Sequence, residues 1–303
     1  MQFNEPDWIA ADPSNHIVFD WLVTFLEEAS AAPAKLKALA ASTTLKLTSA
    51  GTPNPTVNRY RSECRYLFGI LLTIVQQLDA TAPEQNYFVS LVLALREVPA
   101  PQSVTDTIYE GDLDREDFTR RLHAFIHVWS GMSHDAPLHP RLQDRCNRYD
   151  NEKARPPWRQ EKGKYLCAAR WTSLSAFMAK VHVATPDVYT LDCRGLFAMI
   201  EALEQPLTPA ELEDALPPAA YWILYAGKEL KENDFPYAYY PEFSGSKQLP
   251  WSKGVLWNGQ HAFNPARWGF WLQRFKAIAE RPENNEEVRD LARRAFDFGS
   301  SLE

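Results

Sequence analysis

Apolar residues recur along this chain every three to four positions, and runs of strict alternation are nearly absent. That period is the signature of amphipathic helices rather than strands. The first stripe is Val18, Trp21, Leu22, Phe25 and Leu26, with Asp20, Thr24, Glu27 and Glu28 facing away. Asp12-Pro13 ahead of it supplies an N-cap and a proline for the first helical position. A looser helical stretch covers about 33–47, and a proline-containing loop, 51–56, follows. The next pattern predicts a long helix over 57–79, with Cys64, Leu67, Phe68, Leu71, Leu72, Val75 and Leu78 in line. Ile70 and Ile74 widen its stripe almost all round, which places the helix in a core. Thr81, three residues before Glu84, reads as a capping box for a helix reaching about 98. Asp114 opens another, with Phe118, Leu122, Phe125, Ile126 and Trp129 on one face and Gly131 closing it.

Residues 132–158 are polar and irregular, with Pro137, Pro140, Pro156 and Pro157, so any joint within the fold is expected there. Helical spacing returns over about 160–183 with Cys167, Trp171, Leu174, Met178 and Val181. Thr185-Pro186-Asp187 reads as the start of the next helix, and Thr208 with Glu211 as a second capping box. After Pro217-Pro218, residues 219–226 are apolar on every face, as in a helix buried on all sides. Residues 233–250 are rich in Pro, Tyr and Phe and have no period. Asn258-Gly259 between two short apolar runs predicts a small hairpin. Asn264-Pro265 opens a helix with Trp268, Trp271, Leu272, Phe275 and Ala279 inward, and a last helix covers about 286–298. The fold class expected is all-α: a single large domain spanning 1–303, of about nine or ten helices, with a long aromatic and proline-rich loop near the C-terminus.

Composition sharpens this picture in three ways. Ten tryptophans within a 13% aromatic content mean either a bulky core or aromatic walls around a cavity. A net charge of −7 disfavours nucleic acid as a partner, because phosphate binding draws on a basic excess. Cys64, Cys146, Cys167 and Cys193 form no C-x-x-C pair, which points to reduced thiols. The first ten residues lack the basic and apolar regions of a signal peptide. The longest apolar run, 68–75, is far too short to span a bilayer, so no membrane contact is expected. Cytoplasmic residence is the expectation, with the nucleus as the alternative.

No dinucleotide loop, P-loop, H-E-x-x-H, EF-hand loop or G-x-S-x-G elbow is present, and the pattern points to no cofactor and no resident metal. The candidate catalytic pair is His123 and His127, which share a helix face four residues apart and could begin acid–base work or a metal site. The competing reading is that both flank the apolar stripe. Asp112, Asp114, Glu116 and Asp117 are acids in unsuitable spacing for Mg²⁺ and favourable at a helix N-terminus. From Arg141 to Lys164, eight Lys or Arg face four acids, a local balance of +4 that a solvated loop accommodates as readily as an anion site. The candidate ligand-binding residues are Tyr237, Tyr239 and Tyr240, with Trp251 and Trp257 after them. Bulky aromatics on an irregular segment can wall or lid an apolar pocket; packed as a satellite core over the last helices, they would bind nothing. Arg267 and Arg274 share the flank of the helix carrying Trp268 and Trp271, as surface charges or partners of buried carbonyls.

Two blocks resemble the fungal family known as domain of unknown function 3632. One is Trp171-x-x-Leu174-x-Ala176-Phe177-x-Ala179. The other is Gly254-x-Leu256-Trp257-x-Gly259 with Phe263, Arg267-Trp268-x-Phe270-Trp271 and Arg274-Phe275. The Ala220-x-Trp222-Ile223 stretch with Gly227 is similar as well. The first block departs from the family pattern, with Ser173 and Ser175 where asparagines are usual. The resemblance implies an all-helical fungal protein and no particular activity. Two functional classes follow from the residues: a binder, or cofactor-free transformer, of a small apolar or aromatic molecule, and a non-catalytic interaction module using an exposed aromatic groove.

Overall fold

The structure, a computed structural model, describes residues 2–49, 57–99, 125, 168–186, 192–232, 254–259 and 264–302. Among them every regular element is helical and no strand is formed, so the chain is an all-α protein. The described residues fall into two compact units, an N-terminal one reaching Phe125 and a C-terminal one from Ala168 onward.

In the N-terminal unit, α1 (Asp7–Ala10), α2 (Pro13–Ala31), a 3₁₀ turn (Pro33–Lys35), α3 (Leu36–Ser49), α4 (Val57–Val75) and α5 (Glu84–Arg96) gather around α2, which touches all the others. Asp12 caps α2 as expected, its carboxylate accepting from Ser14 N at 2.8 Å. The buried face of α2 runs through Asn15, Phe19, Leu22, Leu26 and Ala29, so Phe19 lies in the core while Val18 and Trp21 lie at its edge. Phe25 meets Phe88 of α5 at 6.0 Å between ring centres, and Phe68 of α4 meets Phe125 edge-on at 5.4 Å. Residues 68–75 are buried throughout, Thr73 included, because its hydroxyl donates to Gly69 O at 2.8 Å. The first capping box does not form. Asp79 takes both the amide and the hydroxyl of Thr81, at 2.8 and 2.6 Å, and α5 begins after Pro83 with no side-chain cap. An Asx turn two residues upstream outcompetes the cap for the same threonine.

The C-terminal unit comprises α6 (Ala168–Ala184), α7 (Asp192–Leu203), α8 (Pro209–Glu232), α9 (Pro265–Glu280) and α10 (Glu286–Ser301). Helix α8 is its axis and packs on α6, α7 and α10; α9 packs on α10 and α7. The Thr208–Glu211 capping box forms, with Glu211 Oε2 accepting from Thr208 N at 2.8 Å and Thr208 Oγ1 accepting from Glu211 N at 3.3 Å. Asn264 and Asn285 cap α9 and α10. Thr185 closes α6, its hydroxyl donating to Val181 O at 2.7 Å, and residues 187–191, over which the next helix is expected to start, lie outside the described residues.

Helix α8 runs through Pro217 and Pro218 and departs from helical geometry at Ala226 (φ −127°, ψ 16°). The carbonyls the prolines leave without a donor belong to Glu213 and Asp214, both exposed to solvent. A mid-helix proline costs about 3 kcal/mol. Burying Leu212, Leu216, Trp222, Ile223 and Leu230 on the same helix returns about 1.5–3 kcal/mol each, so packing wins. Helices approach closely at one glycine: a β-carbon on Gly195 of α7 would stand 3.0 Å from Trp222 and Leu230, tighter than ordinary van der Waals contact.

Candidate functional site

The most concentrated chemistry among the described residues lies where α7 ends. Glu204, the residue after its last turn, is fully buried and faces the first two turns of α9. Asn264 and Pro265 start α9 so that Arg267, Trp271 and Arg274 recur at four and three residues and share a face. Glu204 Oε1 accepts from Arg267 Nε at 2.6 Å and Trp271 Nε1 at 2.7 Å. Its Oε2 accepts from Arg267 Nη2 at 2.8 Å and from the backbone N of Gly254 at 2.7 Å. The guanidinium also stands 5.5 Å from the centre of the Trp271 ring.

Both side chains of this ion pair have zero exposure. Two charges so placed are tolerated only when bidentate and saturated, and here the carboxylate has a donor on each of four lone-pair directions. A carboxylate so occupied has no lone pair left for a metal, a nucleophilic attack or a proton transfer. Its role is to hold three pieces of chain together.

The third piece is the irregular segment 254–259. Besides the Gly254 amide, Leu256 N donates to the carbonyl of Glu204 at 2.9 Å. The residues expected to form a hairpin strand therefore bond to a helix end. The approach is so close that a β-carbon on Gly254 would collide with Glu204 Cβ and lie 2.5 Å from its carbonyl oxygen. Trp257 is carried on this segment, half-buried, with its ring 5.3 Å from that of Phe270 and lying over Gly259, where a β-carbon would strike the indole. Next to Leu256, Val255 is exposed.

The preceding carbonyl of the same helix end, Leu203 O, accepts from Arg274 Nε at 3.0 Å. Arg274 thus serves a carbonyl, one of the two roles its sequence position suggested. It is half-buried, and burial first, then repulsion from Arg281 two turns on, pushes its guanidinium below the usual arginine range. A cation at the C-terminal end of α7 also opposes the helix dipole favourably.

A second polar group lies within α6. Ser173, Ser175 and His182 are buried, the Ser175 hydroxyl has no hydrogen-bond partner among the described residues, and the His182 ring lies 5.9 Å from that of Trp222 in α8.

Of the candidate catalytic and ligand-binding residues singled out from sequence, Trp257 is the one with a described position. His123, His127, Tyr237, Tyr239, Tyr240 and Trp251 lie outside the described residues, as do the joint at 132–158 and the basic stretch after Arg141. Trp268 and Trp271 are buried, as their stripe predicts. Cys64 is half-buried and hydrogen-bonded with Tyr60, and burial pushes its thiol up to about 11. Among the described residues no cluster of three His, Cys, Asp or Glu side chains could hold a metal, and no helix is long and apolar enough to cross a membrane. Glu204 was not legible as a site: a single acid after an apolar helix resembles any helix-end charge. The one signal was the pairing of Gly254 with Arg267 and Trp271 in one block, which marks a tight backbone approach beside a buried cation.

These features define an all-α protein in which a saturated buried ion pair at a helix end pins an aromatic-bearing segment. The chain belongs to the family described as Protein of unknown function (DUF3632), whose profile matches residues 68–275 and so includes every residue of the pin. No curated protein and no solved structure matches the chain.

Proposed function

We propose that this protein binds a small apolar or aromatic molecule in the cytoplasm, against a wall formed by Trp257 and Phe270, with Tyr237, Tyr239, Tyr240 and Trp251 completing the site. The observation that carries this reading is the Glu204 pin. A buried ion pair, together with two backbone hydrogen bonds, fixes an irregular segment whose side chains contribute little to the core: Val255 is exposed, and Leu256 and Trp257 are half-buried. Binding residues are commonly loop residues positioned by a rigid scaffold, and an indole held at fixed angle to a phenyl ring presents a preorganised aromatic surface. Because the buried carboxylate is saturated, recognition at this wall rests on shape and stacking, which suits a binder that leaves no catalytic motif.

Native mass spectrometry of the protein taken from its own cell extract tests this reading. A small molecule of defined mass should be retained, and Trp257→Ala should lose it while keeping its helical circular dichroism. Retention of a protein subunit in place of a small molecule, lost in the same variant, would instead mark an interaction module.

A further inference from the structure

We infer that Arg274 forms an anion subsite beside the Trp257–Phe270 wall, so that the molecule bound there is a planar aromatic carboxylate. The inference rests on the binding reading above and adds the charge of the ligand.

Three observations converge. First, Arg274 and the Trp257 segment attach to consecutive carbonyls at one helix end: Arg274 Nε to Leu203 O at 3.0 Å, and Leu256 N to Glu204 O at 2.9 Å. Arg274 also stands one turn from Phe270 on the same face of α9, where residues four apart are neighbours. Second, that anchorage uses only Nε. The two terminal nitrogens form the end of a planar fork that matches the two oxygens of a carboxylate. Third, the charge is not cancelled locally. Among the described residues no carboxylate pairs with Arg274, and its charged neighbour is a second cation, Arg281. The adjacent Arg267 differs on every count, being fully buried and consumed by Glu204. In a chain of net charge −7 with 39 acidic residues, a half-buried guanidinium that also feels the repulsion of a second arginine is an arrangement that an incoming anion relieves. A carboxylate fits better than a phosphate dianion, since a single guanidinium end offers two donors and not the larger donor set a phosphate takes.

The test uses two isosteric probes, 2-naphthoate and the uncharged 2-naphthamide, together with inorganic phosphate, each titrated calorimetrically into the full chain. Naphthoate should bind at least about tenfold more tightly than naphthamide. Arg274→Met should remove that preference and leave naphthamide binding unchanged, and Arg274→Lys should restore part of it. Helical circular dichroism and melting of both variants establish that they are folded. Equal affinity for the two naphthyl probes, or a preference that survives in Arg274→Met, overturns the anion subsite. If both probes then still depend on Trp257, the aromatic wall stands without it. Naphthoate binding that depends on Arg274 and not on Trp257 keeps the anion subsite and rejects the wall. Phosphate binding as tightly as naphthoate assigns the site to phosphate and overturns the aromatic carboxylate. Binding of no probe overturns both readings.

Discussion

Replacing Glu204 by glutamine should be among the most damaging single-atom changes available in the C-terminal unit. The carboxylate meets four donors, two on each oxygen: Arg267 Nε and Trp271 Nε1 on one, Arg267 Nη2 and the Gly254 amide on the other. A carboxamide has one oxygen and one NH₂ group, so either orientation sets a donor against two donors. It also leaves the Arg267 charge without a counter-ion at zero exposure. Breaking a buried pair from one side costs about 3–5 kcal/mol. For a cooperative unit of about 150–250 residues, each kcal/mol moves the melting point by about 2–4 °C. Glu204→Gln should therefore lower the melting of the unit by roughly 6–20 °C, read by circular dichroism at 222 nm or by calorimetry. Arg267→Met should also destabilise, and the double variant should cost less than the sum of the singles, because the stranded charge is gone. A single-variant loss under about 1 kcal/mol, or additivity of the pair within about 0.5 kcal/mol, would refute the account of a saturated, interdependent pin.

Gly254→Ala should destabilise by about 1–3 kcal/mol, since the new methyl meets Glu204 Cβ, and should speed amide exchange at Leu256 while exchange within α9 stays slow. Thr208→Ala removes the reciprocal cap of α8 and should cost about 1 kcal/mol in urea unfolding. His16 accepts support from Glu5 at 2.7 Å and from Asp20, which raise its pKa above the ordinary value. Its folded value therefore exceeds its unfolded one, so its contribution is complete below about pH 6.5 and is lost as pH rises through the raised value. Wild type should thus lose more stability than His16→Gln between pH 5.5 and pH 8. Cys64, with its thiol pushed up to about 11, should remain unmodified by iodoacetamide at pH 8 in peptide mapping of the native protein, and react on unfolding.

The helices were legible because their evidence is local. Asp12-Pro13, Thr208 with Glu211, and Asn264-Pro265 each join a cap to an apolar period, and each starts a helix where expected. Where local signals competed, the sequence could not rank them: Thr81 had two acceptors within three residues, and the nearer one, Asp79, took it. Pro217-Pro218 shows the converse. Its penalty is local, whereas the packing of α8 against three other helices that overrides it is not visible in the residues beside it. The same holds at the candidate site. Trp257 stood out by type and by its irregular surroundings. Glu204 acquires meaning only from partners 50, 63 and 67 residues away, and no spacing rule connects them.

The placement of α10 carries a practical consequence. The family profile begins inside α4 and stops inside α9, yet Gly299 in the last helix sits against Leu272, Ile223 and Trp268, all of them buried. A fragment trimmed to residues 68–275 would strip the cover from that apolar surface and cut α9 one turn short. Such a fragment should precipitate or oligomerise even though it contains every residue that defines the family, because the borders of inherited similarity and of cooperative folding differ in this chain.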